Sequence, residues 1–225
     1  LRNPAQQAIV TAPPEGSQLV LAGPGSGKTR VIVHRIAWLL RECMVRPEEI
    51  MVLTYNRSGA AEIRARLWQL VQADAAGVTV QTLHGLAMRL TGTSYAVALE
   101  QGEAIDFAAV IQQATAQLQK AAPGGAEDDE TSLARDRLLA GLRFLLVDEY
   151  QDINGEHYAL ISALAGRSLQ AAHDRLSLMA VGDDDQNIYA FGGADVRYIR
   201  QFEADYQATR FSLLDNYRST AHIID

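Results

Sequence analysis

Leu19-Val20-Leu21-Ala22-Gly23-Pro24-Gly25-Ser26-Gly27-Lys28-Thr29 decides the fold. Four apolar residues with no polar alternation read as a strand buried on both faces. A glycine-rich turn follows, and an amphipathic helical stretch runs from about Gly27 through Arg41. Ala22–Thr29 fits the phosphate-loop pattern, with Ala22 in the place of the first glycine. The residue types suit the chemistry. Flexible backbone at Gly23, Gly25, Ser26 and Gly27 can turn successive N–H groups toward phosphate oxygens, and the helix N-terminus adds its dipole. Lys28 would reach the β- and γ-phosphates, and the Thr29 hydroxyl would ligate Mg²⁺. A glycine-rich turn ahead of an ordinary helix is the plainer reading. The strand before it and the amphipathic helix after it favour a nucleotide site.

Outward from this loop, short apolar runs alternate with helical-period stretches, the pattern of a parallel α/β sheet. Strands are expected at 50–53, 78–80, 144–147, 176–181 and 209–213. A helix after the second strand should place Ile63, Leu67 and Leu70 on one face. Residues 90–142 break the alternation and read as helical, with Phe107, Val110, Ile111 and Leu118 at helix spacing. The stretch 122–130, Pro/Gly-rich and then acidic, reads as a solvated loop. The expected organisation is an α/β domain in two parts, 1–90 and 142–225, interrupted by a helical insertion at 91–141.

A second chemical signal closes the strand Leu145-Leu146-Val147, which ends in Asp148-Glu149. Asp148 would hold Mg²⁺ through its water shell, and Glu149 would orient or deprotonate the attacking water. Such a pair can also be an ordinary acidic first turn of a helix. Behind a buried strand in a phosphate-loop protein, the catalytic reading wins, and a glutamate there favours hydrolysis.

The chain has 225 residues, 48% of them hydrophobic, so it can bury a sizeable core. No apolar run approaches the ~20 residues needed to span a bilayer. The single cysteine, Cys43, excludes an intramolecular disulfide and a cysteine-built metal cluster, and suits a cytoplasmic location. With Leu40 and Met44 as neighbours it is expected to be a buried helix residue. Leu1-Arg2-Asn3-Pro4 has neither an initiator Met nor a signal-peptide pattern, and Ala221–Asp225 stops within an apolar pattern; the chain is expected to be a trimmed segment. A formal charge of −7 runs against strong phosphate-backbone binding by this segment alone.

At Asp148-Glu149-Tyr150-Gln151-Asp152 the chain resembles UvrD/Rep-type superfamily 1 DNA helicases. Their other motifs occur in the same order: Asn3–Gln7, the phosphate loop with its trailing Arg30, Leu53–Arg57, Thr82–Gly85, Val181–Tyr189 and Leu214–Thr220. The resemblance spans residues 3–220 and implies the first of two RecA-like motor domains in an ATP-dependent DNA helicase. In such an enzyme, Mg·ATP drives movement along single-stranded DNA and 3′-to-5′ unwinding of duplex junctions in repair or replication.

It also implies roles. Gln6 would bond the adenine edge and Tyr217 would stack on adenine. Gln186 would sense the γ-phosphate, and Arg218 would act as an arginine finger. Arg30 would flank the nucleotide or cap a charge network. Tyr55, Tyr189 and Phe191 would stack on bases, while Thr54, Thr82 and His84 would bond backbone phosphates; His84 reads equally as a structural histidine. The pattern departs from the family at several places. Phe191 replaces the usual tryptophan, Gly192 a common arginine, Arg57 lies one place before the usual lysine, and the helical insertion is short. The resemblance implies a monomer that lacks, in this segment, the second motor domain, so the segment alone is expected to be inactive. Two other readings stand beside it: a nucleotide-gated binding or recruitment module without unwinding, and the motor part of a helicase–nuclease.

Overall fold

The computed structural model describes residues 3–101, 104–120, 139, 141–167, 175–183, 195 and 197–217. Within these, six strands form one parallel sheet: β1 (Gln18–Ala22), β2 (Ile50–Thr54), β3 (Thr79–Thr82), β4 (Phe144–Val147), β5 (Ser177–Gly182) and β6 (Thr209–Leu213). Their order is β3-β2-β4-β5-β1-β6. Every adjacent pair is parallel. The expected parallel α/β architecture is therefore present, and the acidic stretch expected as a loop at 122–130 lies outside the described residues.

Alternating side chains divide the core between the two sheet faces. Leu19, Met51, Leu53, Leu145, Val147, Leu178 and Ala180 face one side. Val20, Ala22, Val52, Leu146, Met179 and Val181 face the other. The second face is covered by α1 (Pro4–Val10), α2 (Lys28–Arg41) and α3 (Arg57–Val71). The first is covered by α4 (Leu83–Thr91), α6 (Phe107–Lys120), α7 (Gly155–Ala165) and α8 (Arg197–Tyr206). A short α5 (Tyr95–Gln101) joins α4 to α6. The buried stripe of α6 is Val110, Ile111, Ala114 and Leu118, and it shares the core of the strands.

Two local expectations need correction. In α3 the buried stripe is Ala60, Ile63, Leu67 and Val71, while Leu70 is 36% exposed. The helix therefore presents the i, i+3, i+7, i+11 row to the sheet, one position round from the expected edge. Cys43 is not a buried helix residue. Helix α2 ends at Arg41, Met44 takes a positive φ of 53° and stands 80% exposed, and the Val45 N–H returns to the Leu39 carbonyl. The half-buried thiol packs beside the core from this turn.

Arg35 ties the N-terminal helix to the rest. It is 3% exposed and lies over the Trp38 ring. Its guanidinium donates to the Val10, Ala12 and Pro13 carbonyls at 2.9, 2.5 and 2.8 Å. A planar fork of donors suits three carbonyls of one turning segment, and burial holds the group down at about 10, still charged at neutral pH. Arg35→Met should leave those carbonyls without their donor and cost about 3 kcal/mol, read as a lower midpoint in urea. An unchanged midpoint would show that the clamp contributes nothing.

Candidate nucleotide site and nucleic-acid face

Ligands of open parallel sheets bind beyond the carboxyl ends of the strands. Here the phosphate loop leaves the end of β1, the acidic pair leaves β4, and β5 lies between them. Ala22 closes β1 buried and without a positive φ, so a side chain in the place of the first glycine brings no backbone strain. Gly25 and Gly27 adopt φ of 70° and 92°. Ser26 folds inward, its hydroxyl donating to the Gly23 carbonyl at 2.7 Å. Lys28 and Thr29 occupy the first turn of α2, while Arg30 points to solvent.

Two segments brace this loop. The buried Gln6 amide donates from Nε2 to the Ser26 carbonyl at 3.0 Å. A Cβ on Gly27 would come within 2.8 Å of that nitrogen and displace the amide, so glycine there keeps the brace as well as allowing the φ. The Tyr217 N–H donates to the Gly25 carbonyl at 2.9 Å. Asn3 caps α1 through its Oδ1, and its Nδ2 donates to Asp215 and to the Tyr217 hydroxyl, each at 2.6 Å. The two ends of the described chain thus meet at the phosphate loop, with the Tyr217 ring 61% exposed.

The loop and the acids make contact. Lys28 Nζ lies 3.0 Å from Glu149 Oε2. Glu149 itself takes a left-handed backbone, φ 51° and ψ 48°, a costly conformation for a non-glycine residue. It opens a short 3-10 turn, Tyr150–Asp152, anchored by the fully buried Tyr150 against Phe202. Asp148 is buried and accepts the Glu149 N–H at 3.0 Å. Desolvation pushes its carboxyl up to about 7, the adjacent Glu149 charge adding to the shift. Asp152 is raised to about 6 for the same two reasons.

Mg²⁺ is tested by the donors. The Thr29 hydroxyl and the Asp148 carboxylate are hard oxygens, and the buried Asp148 charge gains from a nearby dication. Among the described residues no group of three or more His, Cys, Asp or Glu could hold a metal. Two protein oxygens completed by phosphate and water fit magnesium's habit.

A second group lies on the Tyr55 side. Tyr55 stands edge-on to His157 at 6.1 Å between centroids, His157 to His84 at 5.2 Å, and His84 to Phe107 at 5.2 Å. Burial lowers the pKa of His84. The Thr54 hydroxyl is turned to the Asn56 carbonyl, and the Thr82 hydroxyl caps α4 by accepting the Gly85 N–H. Both threonine hydroxyls thus have partners inside the protein. Gln186, Tyr189, Phe191 and Arg218 lie outside the described residues. Sequence reasoning assigned nothing to Gln151, which lies against Glu149, or to His157, which lies against Tyr55 and His84.

With this geometry in place, the comparisons decide the family. A model of the UvrD/REP helicase N-terminal domain matches residues 2–98 and 90–207.

The chain belongs to the UvrD/REP helicase N-terminal domain family.

It is 32% identical to DNA helicase II of Escherichia coli K12 over 293 aligned positions, covering 97% of this chain and 39% of that protein. It is 31% identical to the ATP-dependent DNA helicase UvrD1 of Mycobacterium tuberculosis H37Rv, covering 99% and 38%. The chain therefore spans about two fifths of the relatives it matches. The aligned length exceeds the chain's own, so those relatives carry residues with no counterpart here. Among solved structures, the Pif1 helicase of Candida albicans matches with a TM-score of 0.56 at 15% identity, over 97% of this chain and 41% of that one. That likeness concerns the fold.

His157 gives this family member an acid-sensitive point. Its Nδ1 accepts the Asn154 N–H at 3.4 Å, its buried Nε2 has no hydrogen-bond partner among the described residues, and desolvation pushes it down to about 4. The folded state binds fewer protons than the unfolded state between pH 6.5 and 4. Stability is complete above pH 6.5 and falls as acid is added, by on the order of 3 kcal/mol at pH 4. His157→Gln keeps an acceptor for the cap and should flatten that dependence in urea titrations. A slope equal to that of the parent chain would assign the acid sensitivity elsewhere.

Proposed function

We propose that this chain is the nucleotide-gripping wall of an ATP-driven motor that moves along single-stranded DNA and unwinds duplex junctions, 3′ to 5′, in repair or replication. The supporting observation is the Lys28–Glu149 contact. It brings the ammonium that would grip the β- and γ-phosphates next to the carboxylate that would handle the attacking water. When phosphate enters, Lys28 exchanges its carboxylate partner for phosphate oxygens. Glu149 is then free to orient a water and accept its proton. Thr29 and Asp148 would hold Mg²⁺, which would supply charge neutralisation at the phosphates. Backbone N–H groups of Gly23, Gly25, Ser26 and Gly27 receive the phosphate oxygens, with Arg30 at the rim. Gln6 and Tyr217 border the adenine.

On the other side, Tyr55 offers a ring for base stacking, and Thr54, Thr82 and His84 line the backbone track. The sequence resemblance adds Tyr189 and Phe191 to that track, and Gln186 and Arg218 to the phosphates. A second RecA-like domain completes the cleft. Residues 91–141 form the insertion, and the protein acts as a cytoplasmic monomer. Among the described residues no helix is long and apolar enough to cross a membrane.

The test is steady-state ATP turnover by the whole protein with single-stranded DNA, beside Glu149→Gln. Turnover should fall at least ~100-fold in the variant, the usual scale for a lost general base. Full turnover by the variant would remove Glu149 from that role. The 225-residue chain alone should bind ATP weakly and turn it over negligibly; DNA-stimulated turnover comparable with a full-length relative's would contradict the two-walled cleft.

A further inference from the structure

Resting on that reading, we propose that Gln151 is the positioning residue that sets the Glu149 carboxylate, and that it ties this setting to the end of β5. Its side chain spans the two. Nε2 donates to Glu149 Oε2 at 2.7 Å, and Oε1 accepts the Asp183 N–H at 3.0 Å. Gln151 is 4% exposed, so neither bond is easily replaced by bulk water.

The surroundings are built for this bridge. β5 lies between β4 and β1, which puts its carboxyl end, Gly182-Asp183, between the acids and the phosphate loop. Gly182 has no side chain where Gln151 passes. A Cβ there would come within 2.8 Å of Gln151 Oε1 and 3.2 Å of its backbone nitrogen. Tyr150 is anchored in the core, and the Asp152 N–H closes the turn on the Glu149 carbonyl at 3.0 Å. Glu149 and Gln151 therefore flank a fixed residue, and the left-handed backbone of Glu149 brings its carboxylate into reach of both Lys28 and Gln151.

An amide suits this post better than any other side chain of its length. It offers one donor to a carboxylate that must stay ionised and one acceptor to a backbone N–H. Glutamate would keep the acceptor and turn a second carboxylate oxygen against Glu149. Leucine would remove both bonds at similar volume. A shift of Asp183 would pull on the carboxylate through one buried side chain held at both ends. Asp183 lies within Val181–Tyr189, the stretch that resembles the family's third motif.

Two substitutions separate the bonds, in the whole protein with single-stranded DNA. Gln151→Glu should lower kcat ~10–100-fold, the scale of lost orienting partners, with the KM for ATP changed less than about twofold. Hydrogen exchange at the Asp183 amide should stay as slow as in the parent, because its acceptor remains. Gln151→Leu should lower kcat similarly and also speed exchange at Asp183. Gln151→Asn, too short to span both partners, should not rescue turnover. Parental kcat in Gln151→Glu would overturn the positioning role, and so would a loss confined to KM. Unchanged Asp183 exchange in Gln151→Leu would overturn the bridge. If the parent protein does not hydrolyse ATP, or Glu149→Gln does so fully, the motor reading fails, while the Asp183 exchange comparison still decides whether the bridge exists.

Discussion

The contact between the Lys28 ammonium and the Glu149 carboxylate organises everything else in this molecule. The two residues are 121 positions apart in sequence and 3.0 Å apart in space. Only the strand order brings them together. With β5 inserted between β1 and β4, their carboxyl ends lie close enough for a lysine on one to reach an acid on the other. Separating like-directed strands in this way needs crossover helices on both faces, and the two halves of the core supply the burial that holds those helices down.

The site carries local costs that the fold has to offset. Glu149 occupies a left-handed backbone, Asp148 is a desolvated carboxyl, and both acids sit within one turn. Apolar anchoring of Tyr150 and the Lys28 charge counter these costs. A divalent cation beside Asp148 would offset the desolvation that raises its carboxyl pKa and favour its ionised form, while the Lys28 ammonium would face the polyanion. At the phosphate loop, Gln6 and Tyr217 hold the Ser26 and Gly25 carbonyls, and Asn3 steadies Tyr217, while the Ser26 N–H, which donates to the Gly23 carbonyl at 3.3 Å, would have to turn to receive phosphate.

The strands were legible in sequence because both sheet faces are covered, which makes each strand a continuous apolar run such as Phe144–Val147. The phosphate loop and acidic pair were legible because their chemistry is local. Helix ends were harder. Met44 terminates α2 with a positive φ that is normally a glycine's, so no residue announced the stop and Cys43 was placed in a helix it does not join. Leu70 shows the limit of periodicity, since i+7 and i+8 both lie near one stripe and packing selected Val71. Gln151 was invisible for another reason. Its meaning depends on Asp183, 32 residues away, and on β4 and β5 being neighbours. His157 likewise matters because Tyr55 comes to its ring from the loop after β2 and His84 from the first turn of α4.

The central claim is that residues from Gln6 to Glu149 converge on one triphosphate, and a crystal structure of the chain with Mg²⁺ and a non-hydrolysable ATP analogue tests it most directly. Lys28 Nζ should have left Glu149 for the phosphate oxygens, with the metal between Thr29 and Asp148 and the Gly23–Gly27 backbone around the phosphates. A nucleotide bound elsewhere, with Lys28 still on Glu149, would contradict the account.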